Sequence, residues 1–399
     1  SSTGEDTSDP ENENSDGGGA NSDQSLGQGL ALVKSDGTAE GTRILKEFQS
    51  IDDLVEMNGD LYFIADDGSG NRLWRSDGTE RGTAKVKDFY PGSDKFATSN
   101  LFVIDNSIFF SASGPEESNN GYELWRWDGD GVGTKLFRNL FPDRYITIQS
   151  IETDQETGAR TLTIETAEFN TSTPEYSPDS FPQNFTSVSG GNFFFTAYST
   201  QRVDATVNGF ADEIQLGGIE LWFSDGTENG TRAIPINNEI YQIYNPVDGA
   251  ASPPEIYEEY YTATGSSFPR ELTAFGNYLV FVANNGVGGF ELWSISDEGR
   301  NPEIIELRAD ETSEDPEITS PSPEQLTVVG DRLYFTANDG TGRKLWSITS
   351  SLETPPSLVE GAGDSPEQLT AIDGKLYFSS LSDLGRELWV AENGSAAML

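Results

Sequence analysis

The sequence predicts an all-β chain, and within that class a β-propeller of six four-stranded blades, with seven as the alternative count. Three observations carry the prediction. A Leu-Trp pair recurs at Leu73–Trp74, Leu124–Trp125, Leu221–Trp222, Leu292–Trp293, Leu345–Trp346 and Leu388–Trp389. An Asp-Gly-Thr-x-x-Gly-Thr turn follows at Asp77–Thr83 and Asp225–Thr231, and an earlier copy spans Asp36–Thr42. Two short runs of β-formers precede each pair, starting at Leu54, Leu101, Phe185, Leu272, Leu326 and Leu369. The shorter spacings between those starts are 43 and 47 residues, the length of one propeller blade, about 40–50 residues.

Residues 1–28 hold Ser, Asp, Glu, Asn and Gly with almost nothing to bury. They are expected to form an acidic, disordered tether. Residues 29–399 are expected to form a single propeller domain. It begins with a C-type strand at Leu30–Ser35 and a D-type strand at Arg43–Phe48. Each later unit reads as strands A and B around a tight step, as at Asn58–Gly59, Gly190–Gly191, Gly276–Asn277 and Asp373–Gly374. Such steps supply the positive φ that short hairpins need. Strand C is the Leu-Trp segment, and strand D follows the Asp-Gly-Thr turn, as at Ala84–Phe89. After Trp389 only Ala391–Leu399 remain for a sixth D strand. Arg43–Phe48 is therefore expected to complete the last blade and close the ring, which removes exposed sheet edges. On that reading Leu30–Ser35 is one strand too many.

Three insertions are expected, at residues 142–184, 198–218 and 241–270. In the first, Tyr145–Ile151 and Arg160–Thr166 alternate apolar and polar side chains around Asp154–Gly158, the pattern of an inserted two-stranded ribbon rather than of a lost blade. All three insertions belong to or flank the third blade, on the face opposite the tight A–B turns. A rigid frame bearing long loops on one face is a common way to build a binding surface. The last insertion carries Tyr241, Tyr244, Tyr257, Tyr260, Tyr261 and Phe268 beside Asp248, Glu255, Glu258 and Glu259. Tyrosine offers flat amphipathic contact area at low entropic cost, and with carboxylates it suits a protein surface or a glycan. The expected ligand-binding residues are Tyr241, Tyr244, Asp248, Glu255, Tyr257, Tyr260 and Tyr261. The competing reading has the same rings folded back to hold down a long loop.

Composition narrows the chemistry. The net charge is −43, from 67 acidic and 24 basic residues, which repels nucleic acid and anionic lipid. There is no histidine and no cysteine, so disulfides, thiolate metal sites, cysteine nucleophiles and histidine bases are excluded. No apolar run reaches about 18 residues, so no membrane-spanning helix is expected. Carboxylates are too abundant for any pair to stand out as a glycosidase acid and base. No phosphate-cradling glycine loop or nucleophile elbow is present. Calcium is the one cofactor for which the turns offer ligands, at Asp66, Asp67, Asp128 and Asp130. None has EF-hand spacing, and Asx-type turns explain the same residues.

The motif resembles the bacterial ELWxxDGT repeat family, best matched at Trp222–Thr231, with Trp74–Thr83 close behind. Trp293, Trp346 and Trp389 lack the Asp-Gly-Thr turn. The resemblance covers most of residues 30–399. It implies a propeller in a secreted or surface protein and carries no activity, so no catalytic residue transfers. The expected function is a non-enzymatic extracellular module that binds a protein or glycan through the long-loop face around blade three. A glycan-active hydrolase or lyase on the same scaffold is the second reading. A self-associating subunit of an extracellular layer or filament is the third.

Overall fold

The computed structural model describes residues 29–86, 98–113, 122–130, 132–138, 140, 144–153, 160–168, 180–207, 210–234, 236, 266–286, 289–307 and 320–399. These form seven sheets. Strands β1 (Leu30–Lys34) and β2 (Arg43–Phe48) make a two-stranded hairpin sheet. Sheet one holds β3 (Ser50–Met57), β4 (Asp60–Asp66), β5 (Asn71–Ser76) and β6 (Ala84–Lys85). Sheet two holds β7 (Thr98–Ile104), β8 (Ser107–Ser113), β9 (Tyr122–Trp127) and β10 (Thr134–Arg138). Sheet three begins with a ribbon of β11 (Arg144–Thr153) and β12 (Arg160–Glu168). Its blade strands are β13 (Gln183–Ser187), β14 (Phe193–Val207), β15 (Phe210–Ser224) and β16 (Arg232–Ile234). Sheet four holds β17 (Arg270–Phe275), β18 (Tyr278–Asn284), β19 (Phe290–Ser296) and β20 (Glu303–Ile304). Sheet five holds β21 (Glu324–Val329), β22 (Arg332–Asn338), β23 (Arg343–Thr349) and β24 (Ser357–Leu358). Sheet six holds β25 (Asp364–Ile372), β26 (Lys375–Ser382), β27 (Gly385–Glu392) and β28 (Ser395–Met398). In each numbered sheet the four blade strands are A to D in chain order and pair as antiparallel neighbours.

The turns follow from residue chemistry. Asn58 and Gly59 stand at φ +57° and +84°, and Asp373 and Gly374 at +48° and +76°, as a two-residue hairpin loop requires. The Asp-Gly-Thr turn is a self-contained bonding unit. Asp77 Oδ1 accepts from Thr79 N at 2.9 Å and from Thr79 Oγ1 at 2.7 Å. Thr79 Oγ1 accepts from Gly82 N at 2.9 Å, and Thr83 Oγ1 bonds both Thr79 O and Ser76 Oγ. The copies at Asp36 and Asp225 repeat the set. A Cβ on Gly82 would lie 2.0 Å from Asp77 Oδ1. The second glycine is thus required by the aspartate's carboxylate.

Period-two alternation on strand C sets the packing. The leucine faces the following sheet and the tryptophan the preceding one. Leu124 and Phe109 of sheet two meet Phe193, Phe195 and Trp222 of sheet three in one buried cluster. Phe194, Leu221 and Phe223 of sheet three meet Phe281 and Trp293 of sheet four. The same scheme joins sheets one to two, four to five and five to six. Face-to-face sheets stacked in chain order are the layering of a propeller.

The A strands also follow one rule. Each A–B pairing slips register at the same place. There Asp53, Asn100, Asn184, Glu271, Gln325 and Gln368 adopt φ between +51° and +60°. These bulges link successive sheets: Asp53 Oδ2 accepts from Asn100 N at 2.7 Å, Glu271 Oε2 from Leu326 N at 3.1 Å, and Gln325 Oε1 from Leu369 N at 3.2 Å. Accordingly β3 touches β7, β7 touches β13, and so on through β17 and β21 to β25.

Two expectations need correction. The sheets number seven rather than six. Nor does Arg43–Phe48 complete the last blade, because β28 takes that place, with Met398 opposite Trp389. Four residues suffice because D strands here are as short as two residues, as in β6, β20 and β24. Instead β1 and β2 pair with each other, and Leu32, Leu45 and Phe48 pack on Phe63, Ala65 and Trp74 of sheet one. The surplus strand at Leu30–Ser35 is the C strand of this half-sheet. Leu388, on the forward face of sheet six, is 54% exposed, whereas Leu345 is 1% exposed. Leu388→Ala is therefore expected to change stability by no more than about 0.5 kcal/mol, as for a surface position, measured by urea denaturation.

A candidate binding face around the third sheet

The expected ligand-binding residues Tyr241, Tyr244, Asp248, Glu255, Tyr257, Tyr260 and Tyr261 lie outside the described residues. The face they were assigned to is described at its base. The ribbon read at residues 145–166 is present as β11 and β12, and it joins sheet three through a parallel bridge, Ile146 to Val203 and Thr147 to Asp204. The segment read as a B–C insertion, residues 198–218, continues β14 and β15 as one long hairpin, paired from Phe193–Ser224 out to Val207–Phe210. Sheet three thus extends beyond the length of its neighbours on the long-loop face.

Below this arm, two Ser-Phe-Pro segments lead into strands A. Ser180 N donates to Tyr122 O at 2.8 Å, and Tyr198 N donates to Ser180 O at 2.7 Å. Phe268 N donates to Ile219 O at 3.1 Å, and Asn284 N to Ser267 O at 2.8 Å. Each segment therefore bridges strand C of one sheet and strand B of the next. Proline ends the segment without wasting a donor. Phe181 and Phe268 stand at φ +42° and +43°, a region that bulky residues avoid. Their rings point outward, 42% and 50% exposed. Phe181 stacks on Tyr122 at 4.9 Å and 23°, and Tyr198, 40% exposed, meets Phe181 edge-on at 6.5 Å.

Buried carboxylates support both segments. Glu123 Oε2 accepts from Ser180 Oγ at 2.9 Å and Leu140 N at 2.8 Å. Glu220 accepts from Ser267 N at 3.3 Å and from Ser267 Oγ. Burial pushes Glu220 up to about 7 against the pull of those two bonds. Engaged and covered as it is, Glu220 positions the segment and offers no open approach to a substrate. The Glu-Leu-Trp motif marks the repeat in the sequence without announcing this role for its glutamate. The readable signal is the recurrence of Ser before Pro, ahead of strands A at Ser180–Pro182, Ser267–Pro269 and Ser320–Pro323 and within the last strand A at Ser365–Pro366.

The four aspartates read as calcium ligands are placed in two turns. Asp66 Oδ1 accepts from Gly68 N and Gly70 N at 2.7 and 2.8 Å. Asp67 accepts from Ser69 Oγ at 2.7 Å and pairs with Lys85 at 3.0 Å, and these partners hold its carboxyl below the usual range. Burial works to raise Asp128, but Ser107, Arg126 and Lys135 outweigh it and leave the carboxyl lowered. Asp130 is exposed in the same turn. Among the described residues, no three acidic side chains gather as a metal site would require. On the opposite face, a cleft of about 270 Å³ between sheets four and five is lined by Tyr278, Glu303, Glu306, Glu353 and Leu352, among others. Among the described residues no helix is long and apolar enough to cross a membrane.

No protein-family model matches the chain, and no curated protein matches it by sequence. Solved structures are similar to the chain over most of its length at low identity. The chain is similar to oligogalacturonate lyase from Vibrio parahaemolyticus at 10% identity and TM-score 0.40, covering 93% of this chain and 84% of that one. It is similar to the computationally designed Ika8 protein at 10% identity and TM-score 0.38, covering 90% and 76%. It is also similar to puromycin hydrolase at 10% identity and TM-score 0.43, covering 92% of this chain and 49% of that one, about half its length. At these scores the likenesses assign no activity.

Proposed function

We propose that the chain is a non-enzymatic, extracellular binding module of the ELWxxDGT repeat kind, and that the long-loop face around sheet three holds a glycan. The observation that carries this reading is the half-exposed stack of Tyr122, Phe181 and Tyr198. It sits on strained backbone held in place by Glu123 and Ser180. Backbone strain in a bulky residue persists only where surrounding structure enforces it, and such strain clusters at ligand sites. Flat rings beside tyrosine hydroxyls suit the apolar faces and hydroxyls of a sugar. The charge of −43 favours neutral or amino sugars over acidic ones.

Titration calorimetry with neutral oligosaccharides, chosen from an array, tests the reading. Phe181→Ala is expected to weaken binding at least tenfold, or about 1.4 kcal/mol, with an unchanged melting temperature. Equal affinity for the variant and the parent would reject the stack as the contact. Release of new reducing ends from the bound polysaccharide would replace the binding module with an enzyme.

A further inference from the structure

The joints between successive sheets show what normally stands beside each C–D turn. In four of them a basic side chain of one sheet reaches the positive-φ glycine in the turn of the next. Arg126 Nη1 donates to Gly226 O at 3.2 Å, and Arg232 Nη2 donates to Gly299 O at 2.7 Å. A Cβ on Gly394 would lie 3.5 Å from Arg332 Nη1, and one on Gly78 would lie 2.8 Å from Lys34 Nζ. These four glycines stand at φ between +70° and +83°. Between sheets one and two, Arg75 holds the same strand position as Arg126 and donates from Nε to Asp60 Oδ2 at 2.7 Å.

The joint between sheets four and five departs from this pattern. Ser294 follows Trp293 where Arg126 follows Trp125, and Tyr278 stands where sheet five has Arg332. Leu352 takes the place of the turn glycine at φ +54°. Its N–H donates to Thr349 O at 3.1 Å, as that of Gly299 does to Ser296 O at 2.8 Å. The room that an arginine takes elsewhere is left as the cleft of about 270 Å³. Among the described residues no lysine or arginine lines it, whereas Glu303, Glu306 and Glu353 do, all three exposed. Ser294 lines the cleft, is 7% exposed, and has no hydrogen-bond partner for its hydroxyl among the described residues. Buried hydroxyls are normally bonded. Its counterpart Ser347 accepts from Arg332 Nη1 at 3.3 Å.

We propose that the cleft between sheets four and five binds a guanidinium group on a short apolar stem, which takes the place that arginine holds in the neighbouring joints. The occupant is defined by those joints. Ser294 offers the acceptor that Ser347 offers to Arg332. The planar fork of a guanidinium matches carboxylates such as Glu306 and Glu353 in pairs of hydrogen bonds, which an ammonium cannot do. Ile305 and Leu352 supply an apolar wall for the stem, and the Tyr278 ring supplies a face for the cation. The charge of −43 raises the local concentration of any cationic ligand. This cleft lies on the face opposite the proposed glycan site and takes a ligand of different chemistry.

Calorimetry of the full chain with butylguanidinium tests the proposal, with butylurea as the neutral control of the same shape. Expected is saturable binding at one site with a dissociation constant of about 1 mM or tighter, and butylurea weaker by about tenfold or more. Glu306→Gln with Glu353→Gln should weaken butylguanidinium about tenfold and leave the melting temperature unchanged. Ser294→Arg should supply the group from within, abolish binding and raise the melting temperature. Where that variant does not fold, the paired glutamine variant decides. A tripeptide with a central arginine, blocked at both ends, identifies the source: tighter binding than butylguanidinium supports a side-chain ligand, and weaker binding supports a free guanidine. Phe181→Ala should leave butylguanidinium binding intact, which separates this site from the glycan face. Equal binding of butylurea, or no binding of butylguanidinium at about 10 mM, would overturn the proposal. So would tighter binding in Arg308→Gln, which would show that the chain's own arginine holds the place.

Discussion

Trp74→Ala is expected to destabilise its joint by about 4 kcal/mol, within the range for truncating a large core aromatic. Trp74 is 3% exposed, lies edge-on to Phe48 at 4.9 Å, and donates from Nε1 to Ala65 O at 3.1 Å. Lys46 and Lys85 stand over its ring at 5.1 and 5.4 Å. The loss is expected to be local. The half-sheet of β1 and β2 is held by the cluster of Leu32, Leu45 and Phe48 with Phe63, Ala65 and Trp74. A two-stranded sheet does not persist alone in water. The variant should therefore release residues 30–48 to exchange and proteolysis while sheets two to six keep their protection. Uniform loss of protection would show that the sheets unfold as one unit. A melting temperature equal to the parent's would remove Trp74 from the core.

Glu220→Gln is expected to be more stable than the parent by about 3 kcal/mol at pH 8. That figure follows from a carboxyl raised from 4.5 to about 7, at 1.36 kcal/mol per unit. Between those two pH values the folded chain binds a proton that the unfolded chain has released. Parent stability therefore falls as pH rises from about 4.5 to about 7, and it is level in this term outside that window. The variant lacks the term, so the two curves should meet below pH 4.5 and separate above it. Asp36, Asp77 and Asp225 are lowered by their threonine partners. They act in the opposite sense and only at more acid pH, so they do not mask the window. Thermal melts at half-unit pH intervals provide the measurement. A constant offset between the curves would mean that Glu220 is charged in the fold throughout.

The repeat was legible because the Leu-Trp pair and the tight A–B steps are local signals. Leucine and tryptophan face opposite joints, so one pair per unit marks both. The ribbon at β11 and β12 was legible from strict alternation at Tyr145–Ile151 and Arg160–Thr166. The D strand at Arg43–Phe48 was legible as well, but those of sheets four and five were not, because β20 and β24 hold two residues each. Two residues leave no periodicity to read, which is why the sequence points to Arg43–Phe48 rather than to β28 as the last strand of sheet six. The long hairpin of β14 and β15 falls where the sequence predicts an insertion, residues 198–218, because Gln201, Arg202, Asp204, Asp212 and Glu213 dilute the apolar pattern. At the site, composition drew attention to the tyrosines near Tyr257. The clamp formed by Glu220 with Ser267 depends on residues 47 apart, a pairing that only the fold creates. Phe181 and Phe268 owe their exposure to positive φ, which a Phe-Pro pair does not announce.

The Asp-Gly-Thr turn has a consequence in time. Its bonds span no more than seven residues, from Ser76 to Thr83 in the second copy. Such a unit can form on the microsecond scale of hairpin closure, before any sheet meets its neighbour. The three full copies end at Thr42, Thr83 and Thr231; sheets four to six have no full copy, and the Asp339–Thr341 turn of sheet five repeats only the aspartate bonds. Nucleation is thus concentrated in the part of the chain that leaves the ribosome first. Synthesis at about 5–20 residues per second gives the early sheets seconds to assemble before the late ones appear. Sheets four, five and six then fold against a surface already in place, and the direction of translation becomes the direction of growth.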